Sequence, residues 1–391
     1  MSSGFVIIGA GPSGLYLARE LGRFLDNVII FEEDRELGLP PHCTGLVNIN
    51  SISALGIAPP IVNTYRYVRI TDLEGNSVTF DFMGNSIAML DRPGLENYLA
   101  EGINASLILG ERVLEVKPSG LVTRNHRNVD YSIAVIAEGA VGSLSGKLIP
   151  WRQRYVYGVQ SDVRSFRSNG LMPRSLDEIV VIFDRRLSNH FFAWIVPRDS
   201  HEYRIGVADD IDVWTKFTAL MRMVDAGGGK YFGGKVIIGG SPDHVVTGRV
   251  ALIGDAAGFV KPMTGGGIVM GMVSARLLAD SIINALNNGL TAENGLAIYD
   301  SVFRRLIRGK ITALSAASHI LHEVMGTELN AALKSLSGVR VRVSDYDNHV
   351  GAVVKAALVS PGRFLRALSF IMGGVLSQGI NDILSMIKNL V

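Results

Sequence analysis

The chain has 391 residues, more than one compact core holds, so two closely packed domains are expected. Hydrophobic residues make up 48% and mean hydropathy is +0.27, which is apolar for a water-soluble chain. Lys and Arg (38) nearly balance Asp and Glu (36), and a net charge of +2 excludes the global field that a nucleic-acid partner would call for.

Phe5–Ile8 is a short apolar strand, entered within four residues of Met1, which leaves no room for a signal peptide. A glycine-rich turn, a helix from Ser13 to Phe24 and a strand Val28–Phe31 follow. This β-turn-α-β order opens a doubly wound parallel sheet. Cys43 is the single cysteine, so no intramolecular disulfide forms and a reducing compartment is expected. Tyr65–Phe82 alternates polar and apolar residues around Glu74-Gly75-Asn76 and reads as an antiparallel hairpin. Asp91–Glu101 reads as a helix and Ile133–Ala137 as a buried strand; strand signals then dominate from Tyr155 to Ala208. Val250–Ile253 is again a buried strand, followed by glycines and a helix Ile268–Leu286. The last ninety or so residues read as largely helical, broken near Gly338 and Pro361.

The expected organisation is an α/β chain in three parts. A Rossmann-type nucleotide domain is assembled from 1–64, 90–150 and 240–300. A β-rich, antiparallel substrate domain takes 65–89 and 151–239. A helical region spans 301–391, where 11 basic residues face 5 acidic ones. That excess suits an anionic membrane surface or simply a solvated face. No run has the roughly 18–20 uncharged apolar residues of a spanning helix. Ala367–Asn381, flanked by Arg366 and Asp382, comes nearest, but Gly373, Gly374, Ser377 and Gln378 make it read as a buried or interfacial helix. Leu365, Leu368, Ile371, Met372, Val375, Ile383, Leu384 and Ile387 either pack a core or close an elongated apolar tunnel and, with Arg363 and Arg366, touch a membrane. A cytosolic protein, or one peripherally attached to the cytoplasmic membrane face, is expected.

Gly9-Ala10-Gly11-Pro12-Ser13-Gly14 satisfies G-x-G-x-x-G directly after a strand and at the opening of a helix. Gly9 permits the tight turn, Gly11 lets backbone approach a pyrophosphate, and Gly14 lets the helix pack close to the sheet. The helix N-terminus offers free N–H groups to the anion. Glu32, ending the second strand, is placed to accept hydrogen bonds from ribose hydroxyls. Together these point to a dinucleotide, with Gly9, Gly11, Ser13, Gly14 and Glu32 as candidate contacts.

Arg249–Gly267, RVALIGDAAGFVKPMTGGG, resembles the second nucleotide motif of the flavoprotein hydroxylase fold. The resemblance implies FAD, with Asp255 on the ribityl chain and the helix N-terminus at Gly266, Gly267 and Ile268 beside the flavin. Ile133–Ser143, IAVIAEGAVGS, resembles the middle motif of that fold, with Glu138 where Asp is usual. Arg92 matches the arginine that approaches the flavin, an ordinary surface arginine being the alternative, and Val113 lies in the strand whose backbone passes the adenine.

Two shorter motifs narrow the reaction. Pro40-Pro41-His42-Cys43-Thr44-Gly45 fits P-x-x-C-x-G, and Phe192-Ala193-Trp194-Ile195-Val196-Pro197 resembles Y-x-W-x-F-P. With the GDAAG…TGGGI run they make the chain similar to the geranylgeranyl reductase family, in particular its archaeal digeranylgeranylglycerophospholipid branch, over about Phe5 to Leu286. In that family the cysteine segment (Cys43, Thr44) lies beside the flavin, and the aromatic motif (Phe192, Trp194, Pro197) lines an apolar cavity for an isoprenoid lipid. Phe192 replaces the tyrosine and Val196 the phenylalanine, so a hydroxyl is lost and the cavity widens while staying apolar. Family members often carry Gly-Glu after the cysteine; Thr44-Gly45 stands there instead, and a proton donor at that place does not carry over. Cys43 is the candidate proton donor or water-orienting residue, with packing under the cofactor as its alternative. His42 reads as a proton shuttle or a solvated loop residue. His319 and His322 share a helix face without carboxylates at metal-ligand spacing, and no metal is expected.

The expected function is FAD-dependent saturation of geranylgeranyl double bonds. The electron donor, NAD(P)H or ferredoxin, must visit the flavin, because only one dinucleotide fingerprint is present. A halogenase or aromatic monooxygenase on the same fold is one alternative, since F-A-W-I-V-P is not far from W-x-W-x-I-P. An electron-transfer flavoprotein acting on a quinone through a partner is the other; a lone Cys43 cannot ligate an iron–sulfur cluster.

Overall fold

The computed structural model describes residues 4–343 except 85, 126, 165, 166, 168, 169, 228, 321 and 323–325, together with 360 and 362. The Ala367–Asn381 segment, Arg363, Arg366 and the apolar positions from Leu365 to Ile387 lie outside the described residues.

The first sheet runs Val246–Thr247, Val250–Leu252, Asn128–Ile136, Gly4–Ile8, Val28–Phe31, Ser106–Ile108. From Val250–Leu252 onward all neighbours are parallel. These strands are near-continuous apolar runs because helices or further chain cover both faces. Val6, Ile7, Ile30, Ile133, Val135 and Leu252 are fully sealed from solvent. A hairpin of Val113–Lys117 and Gly120–Thr123 extends the start of Asn128–Ile136. The helix after the first turn spans Pro12–Leu21, with proline at its first position, where the missing N–H has no partner to lose. It ends three residues before the expected Phe24, which is exposed. It packs against the helix Ile268–Asn287, and the crossing is close because the Ser13 side chain fills the gap left by Gly254 and Gly271.

The second sheet runs Tyr231–Gly239, Arg154–Val163, Tyr203–Asp209, Ala193–Pro197, Glu178–Ile182, Tyr67–Thr71, Ser77–Phe82, Arg340–Val343. Five of its pairings are antiparallel; Glu178–Ile182 with Tyr67–Thr71 and Arg340–Val343 with Ser77–Phe82 are parallel. The expected hairpin closes through Gly75 at φ +86°, a left-handed conformation that glycine adopts without penalty. One face of the sheet carries Ile195, Ile205 and Val207 against the helix Val213–Met223, whose Phe217 and Leu220 are buried. The other carries Val156, Trp194 and Val196 into a separate core cluster with Tyr65, Ile87 and Met89.

Two features depart from the expected organisation. Leu46–Asn48, Ile87–Leu90 and Ile61–Tyr65 form a small third sheet between the larger two. Their runs of three to five residues carry too little periodicity to announce themselves. The region after 301 is not wholly helical. Helices Arg308–His319 and Gly326–Leu336 are followed, past Gly338, by Arg340–Val343, whose exposed arginines alternate with buried valines at strand period.

Among the described residues, one helix, Ile268–Asn287, is long and apolar enough to cross a membrane. Its apolar surface is largely taken up by the helices Pro12–Leu21 and Ala292–Val302, where Met272, Ala275, Leu278 and Ile282 are sealed.

Candidate cofactor and active site

The glycine turn leads from the parallel strand Gly4–Ile8 into its helix. Gly9 has φ +105°, and a side chain there would strike the Ala137 carbonyl; one at Gly14 would strike the Gly9 carbonyl. Both glycines are imposed by close backbone approach. Gly11 differs, since an added Cβ would meet nothing within 4 Å. The space over Gly11 is therefore open to a ligand at the positive end of a helix. Glu32 turns back onto this turn: one carboxylate oxygen accepts the Ala10 N–H at 2.6 Å and the other the Asp34 N–H at 2.9 Å. Burial raises its pKa, and the two N–H groups partly offset that.

A cavity opens here, lined by Ala10, Gly11, Glu32, His42, Arg92 and Glu96 among others. Arg92 begins the helix Arg92–Ala100, capped by the Asp91 side chain on the Gly94 N–H. Its guanidinium pairs with Glu96 one turn on, with side chains 15% and 2% exposed. Burial works against the Arg92 charge, but the Glu96 carboxylate and contact with Cys43 outweigh it and hold the guanidinium protonated. Arg92 Nε and Glu96 Oε2 are both buried without a hydrogen-bond partner. Unsatisfied polar atoms of this kind are costly and mark a place built for a further group. Asp255 is pushed up to about 6 by burial, with the nearby Arg92 charge pulling the other way.

Asp255 lies in the turn Gly254–Ala257 after the strand Val250–Leu252. Gly267 caps the helix Ile268–Asn287, and its Cα lies so close that a Cβ would fall on Asp255 Oδ1. Gly266 is bridged to Lys261 across the intervening turn. Val113 is buried in its strand, in register with Thr123 of the neighbouring strand. The Glu138 carboxylate is taken up locally by the Leu144 and Ser145 N–H groups and the Ser143 hydroxyl. The Ser13 side chain sits in the helix–helix gap already described. These two candidates are thus engaged by protein groups, whereas Gly11, Arg92 and Glu96 face the cavity.

The loop at Cys43 is held by residues of the second sheet. Arg204 donates to the carbonyls of Thr44 (3.0 Å) and Cys43 (3.4 Å), the Thr44 hydroxyl donates to Gln160 at 2.9 Å, and His42 Nδ1 meets the Gly233 carbonyl at 2.9 Å. Gln160 is buried beside Gly206, over which the Trp194 ring lies; a Cβ on Gly206 would fall on that ring. Trp194 Nε1 is buried without a hydrogen-bond partner. Phe192 packs with Phe191 (centroids 4.0 Å apart), Phe183 and Trp194 in an aromatic group that also holds His322. Pro197 lies at the far end of its strand, its carbonyl bonded by Tyr65 and Asn63. His322, buried at Met263, is part of this wall.

Glu96, Gln160 and Arg204 are the site residues that the sequence motifs do not reveal. Glu96 carries a signal, its i+4 spacing from Arg92 on one helix. Gln160 and Arg204 meet the Cys43 loop from more than 110 residues away, and no local pattern marks them.

The residues present fit a dinucleotide: an open turn for pyrophosphate, a carboxylate at the second strand, and buried polar atoms awaiting partners. No protein-family model matches the chain. It is 24% identical over 367 residues to digeranylgeranylglycerophospholipid reductase 2 of Methanothermobacter thermautotrophicus, covering 85% of this chain and 91% of that one. In fold it is similar to a geranylgeranyl bacteriochlorophyll reductase-like protein from Thermoplasma acidophilum, with TM-score 0.78, 16% identity and 94% and 98% of the two chains covered. PqsL, a probable FAD-dependent monooxygenase of Pseudomonas aeruginosa, aligns with TM-score 0.62 at 17% identity, over 84% of this chain and 96% of its own. On sequence and fold together, the chain is an FAD-dependent oxidoreductase similar to the geranylgeranyl reductases.

Proposed function

We propose that the protein saturates C=C bonds of geranylgeranyl chains in isoprenoid membrane lipids or their precursors. The observation that supports this reading is the Cys43–Thr44 loop, with Cys43 near Arg92 and the Thr44 hydroxyl bonded to Gln160, which lies beside Gly206 and the Trp194 ring. Bound FAD, once reduced by an external donor such as NAD(P)H or ferredoxin, supplies a hydride. An isolated alkene has no carbonyl to stabilise a carbanion, so a proton must reach one carbon as hydride reaches the other. Each bond saturated then takes up one hydride and one proton. The proposed work of the protein is to hold the cofactor at Gly9, Gly11, Gly14, Glu32, Arg92, Asp255 and the Gly266–Ile268 turn. It also keeps water from the alkene with the aromatic wall and presents the Cys43 thiol as proton donor. Burial of isoprenoid surface at about 25 cal/mol per Å² binds such a chain without charged anchors.

The test is reduction of the purified protein with dithionite in the absence of oxygen, addition of geranylgeranyl lipids of several head groups, and measurement of flavin reoxidation and product mass. Mass gains in steps of two hydrogens are expected. No gain with any head group would sink the proposal, and turnover that required oxygen would point to the monooxygenase or halogenase chemistry of the same fold.

A further inference from the structure

We propose that Arg204 is a positioning residue for the Cys43 thiol, acting through the peptide between Thr44 and Gly45. The carbonyl of that peptide, on Thr44, accepts from Arg204 at 3.0 Å, and its N–H, on Gly45, donates to Cys43 Sγ at 3.4 Å. Carbonyl and N–H of a trans peptide point to opposite sides of one plane, so a grip on the first sets the direction of the second. Gly45 has φ +85°, and a side chain there would lie 2.8 Å from the Leu90 carbonyl, so the turn requires glycine. The Gly45 carbonyl is itself held by the Leu90 N–H at 2.9 Å.

Arg204 is built to hold still. It is 7% exposed, its Nε and Nη2 form a two-point pair with Asp162 at 2.7 and 2.8 Å, and its guanidinium lies 4.8 Å from the Phe232 ring centroid. Those contacts leave Nη1 for the two loop carbonyls. The Gly45 N–H therefore occupies one acceptor direction of the sulfur, near which the Arg92 guanidinium also lies. A strand of the second sheet thereby fixes a thiol in the first domain, 161 residues away in sequence. The consequence for catalysis rests on the proposed proton-donor role of Cys43; the positioning itself does not.

The experiment uses Cys43 as the chain's single cysteine, so alkylation by iodoacetamide reports this thiol alone. Rates are measured across pH on FAD-loaded and FAD-free protein for wild type, Arg204→Gln and Arg204→Lys. Loss of a hydrogen bond from a charged donor loosens the loop by a factor of about ten or more. Arg204→Gln is therefore expected to speed alkylation about tenfold. Arg204→Lys retains a charge for Asp162 but cannot also span both carbonyls, and should fall between the two. A rise of less than about threefold in folded Arg204→Gln overturns the proposal. Should that variant fail to fold, a lysine variant that alkylates at the wild-type rate overturns it equally. Failure of alkene reduction with the alkylation pattern intact would instead count against the reductase reading alone.

Discussion

Replacing Glu96 with Gln tests whether the Arg92 pair carries energy in the cofactor-free and cofactor-bound protein. The two side chains are 15% and 2% exposed, so solvent does little to screen them. Removing one partner of a buried pair outright costs about 3–5 kcal/mol, because a charge is left without compensation. The amide keeps an acceptor for the Arg92 Nη2, which brings the expected loss down to about 2 kcal/mol. For a chain of 391 residues that lowers Tm by about 2–3 °C. If Arg92 also faces the cofactor, the loss reappears in binding, and about 2 kcal/mol is a roughly thirtyfold weaker FAD Kd. Thermal unfolding with and without saturating FAD, and flavin fluorescence titration of the FAD-free protein, measure the two terms separately. A Tm within 1 °C of wild type together with an unchanged FAD Kd would refute the reasoning. A change in Tm alone would make the pair purely structural.

Gly14→Ala places a methyl on the Gly9 carbonyl, and is expected to weaken FAD binding at least about a hundredfold, read by flavin retention on desalting. Asp255→Asn should stabilise the FAD-free protein at pH 7–8 but not at pH 4. Its folded pKa of about 6 lies above the unfolded value near 3.8, so its contribution is full below the unfolded pKa and lost as pH rises through 6. Urea unfolding across that window should show a gain of at most about 3 kcal/mol, accompanied by weaker FAD binding. Gly206→Ala pushes a methyl against the Trp194 ring; overpacking should cost about 1–3 kcal/mol by urea unfolding and alter the KM for isoprenoid lipid. Cys43→Ala should retain FAD while slowing alkene-driven flavin reoxidation about a hundredfold or more, and an unchanged rate would assign the residue to packing.

The parallel sheet and the cofactor turn were legible because their signals are local and redundant. Apolar runs without alternation, glycines at fixed offsets and a carboxylate ending the next strand all fall within 32 residues, and each depends on backbone geometry. The third sheet was not legible, since strands as short as Leu46–Asn48 leave no period to read. Arg340–Val343 was legible in principle through its alternation, but a helical neighbourhood and the distance to Ser77–Phe82 hid its partner. Ser13 and Glu138 carry local roles that the motifs do not announce: the first fills a helix crossing and the second caps a turn with three local donors.

The residues that sequence does not expose share a cause, for they act on the Cys43 loop from the other sheet. Arg204, Gln160 and the Gly233 carbonyl reach residues 42–44 only because the strands Tyr203–Asp209, Arg154–Val163 and Tyr231–Gly239 lie side by side. Their registers put Gln160 opposite Gly206 and Trp194 opposite Gly206, so the aromatic wall, the amide and the loop are set by a single strand pairing on either side of one glycine. A one-residue slip would turn Gln160 and Trp194 to the opposite face of the sheet and release the loop. The geometry between cofactor cradle and apolar wall therefore depends on sheet register more than on any one motif. Gly206, where the two strand pairings meet, is where a small change in sequence should alter that geometry most.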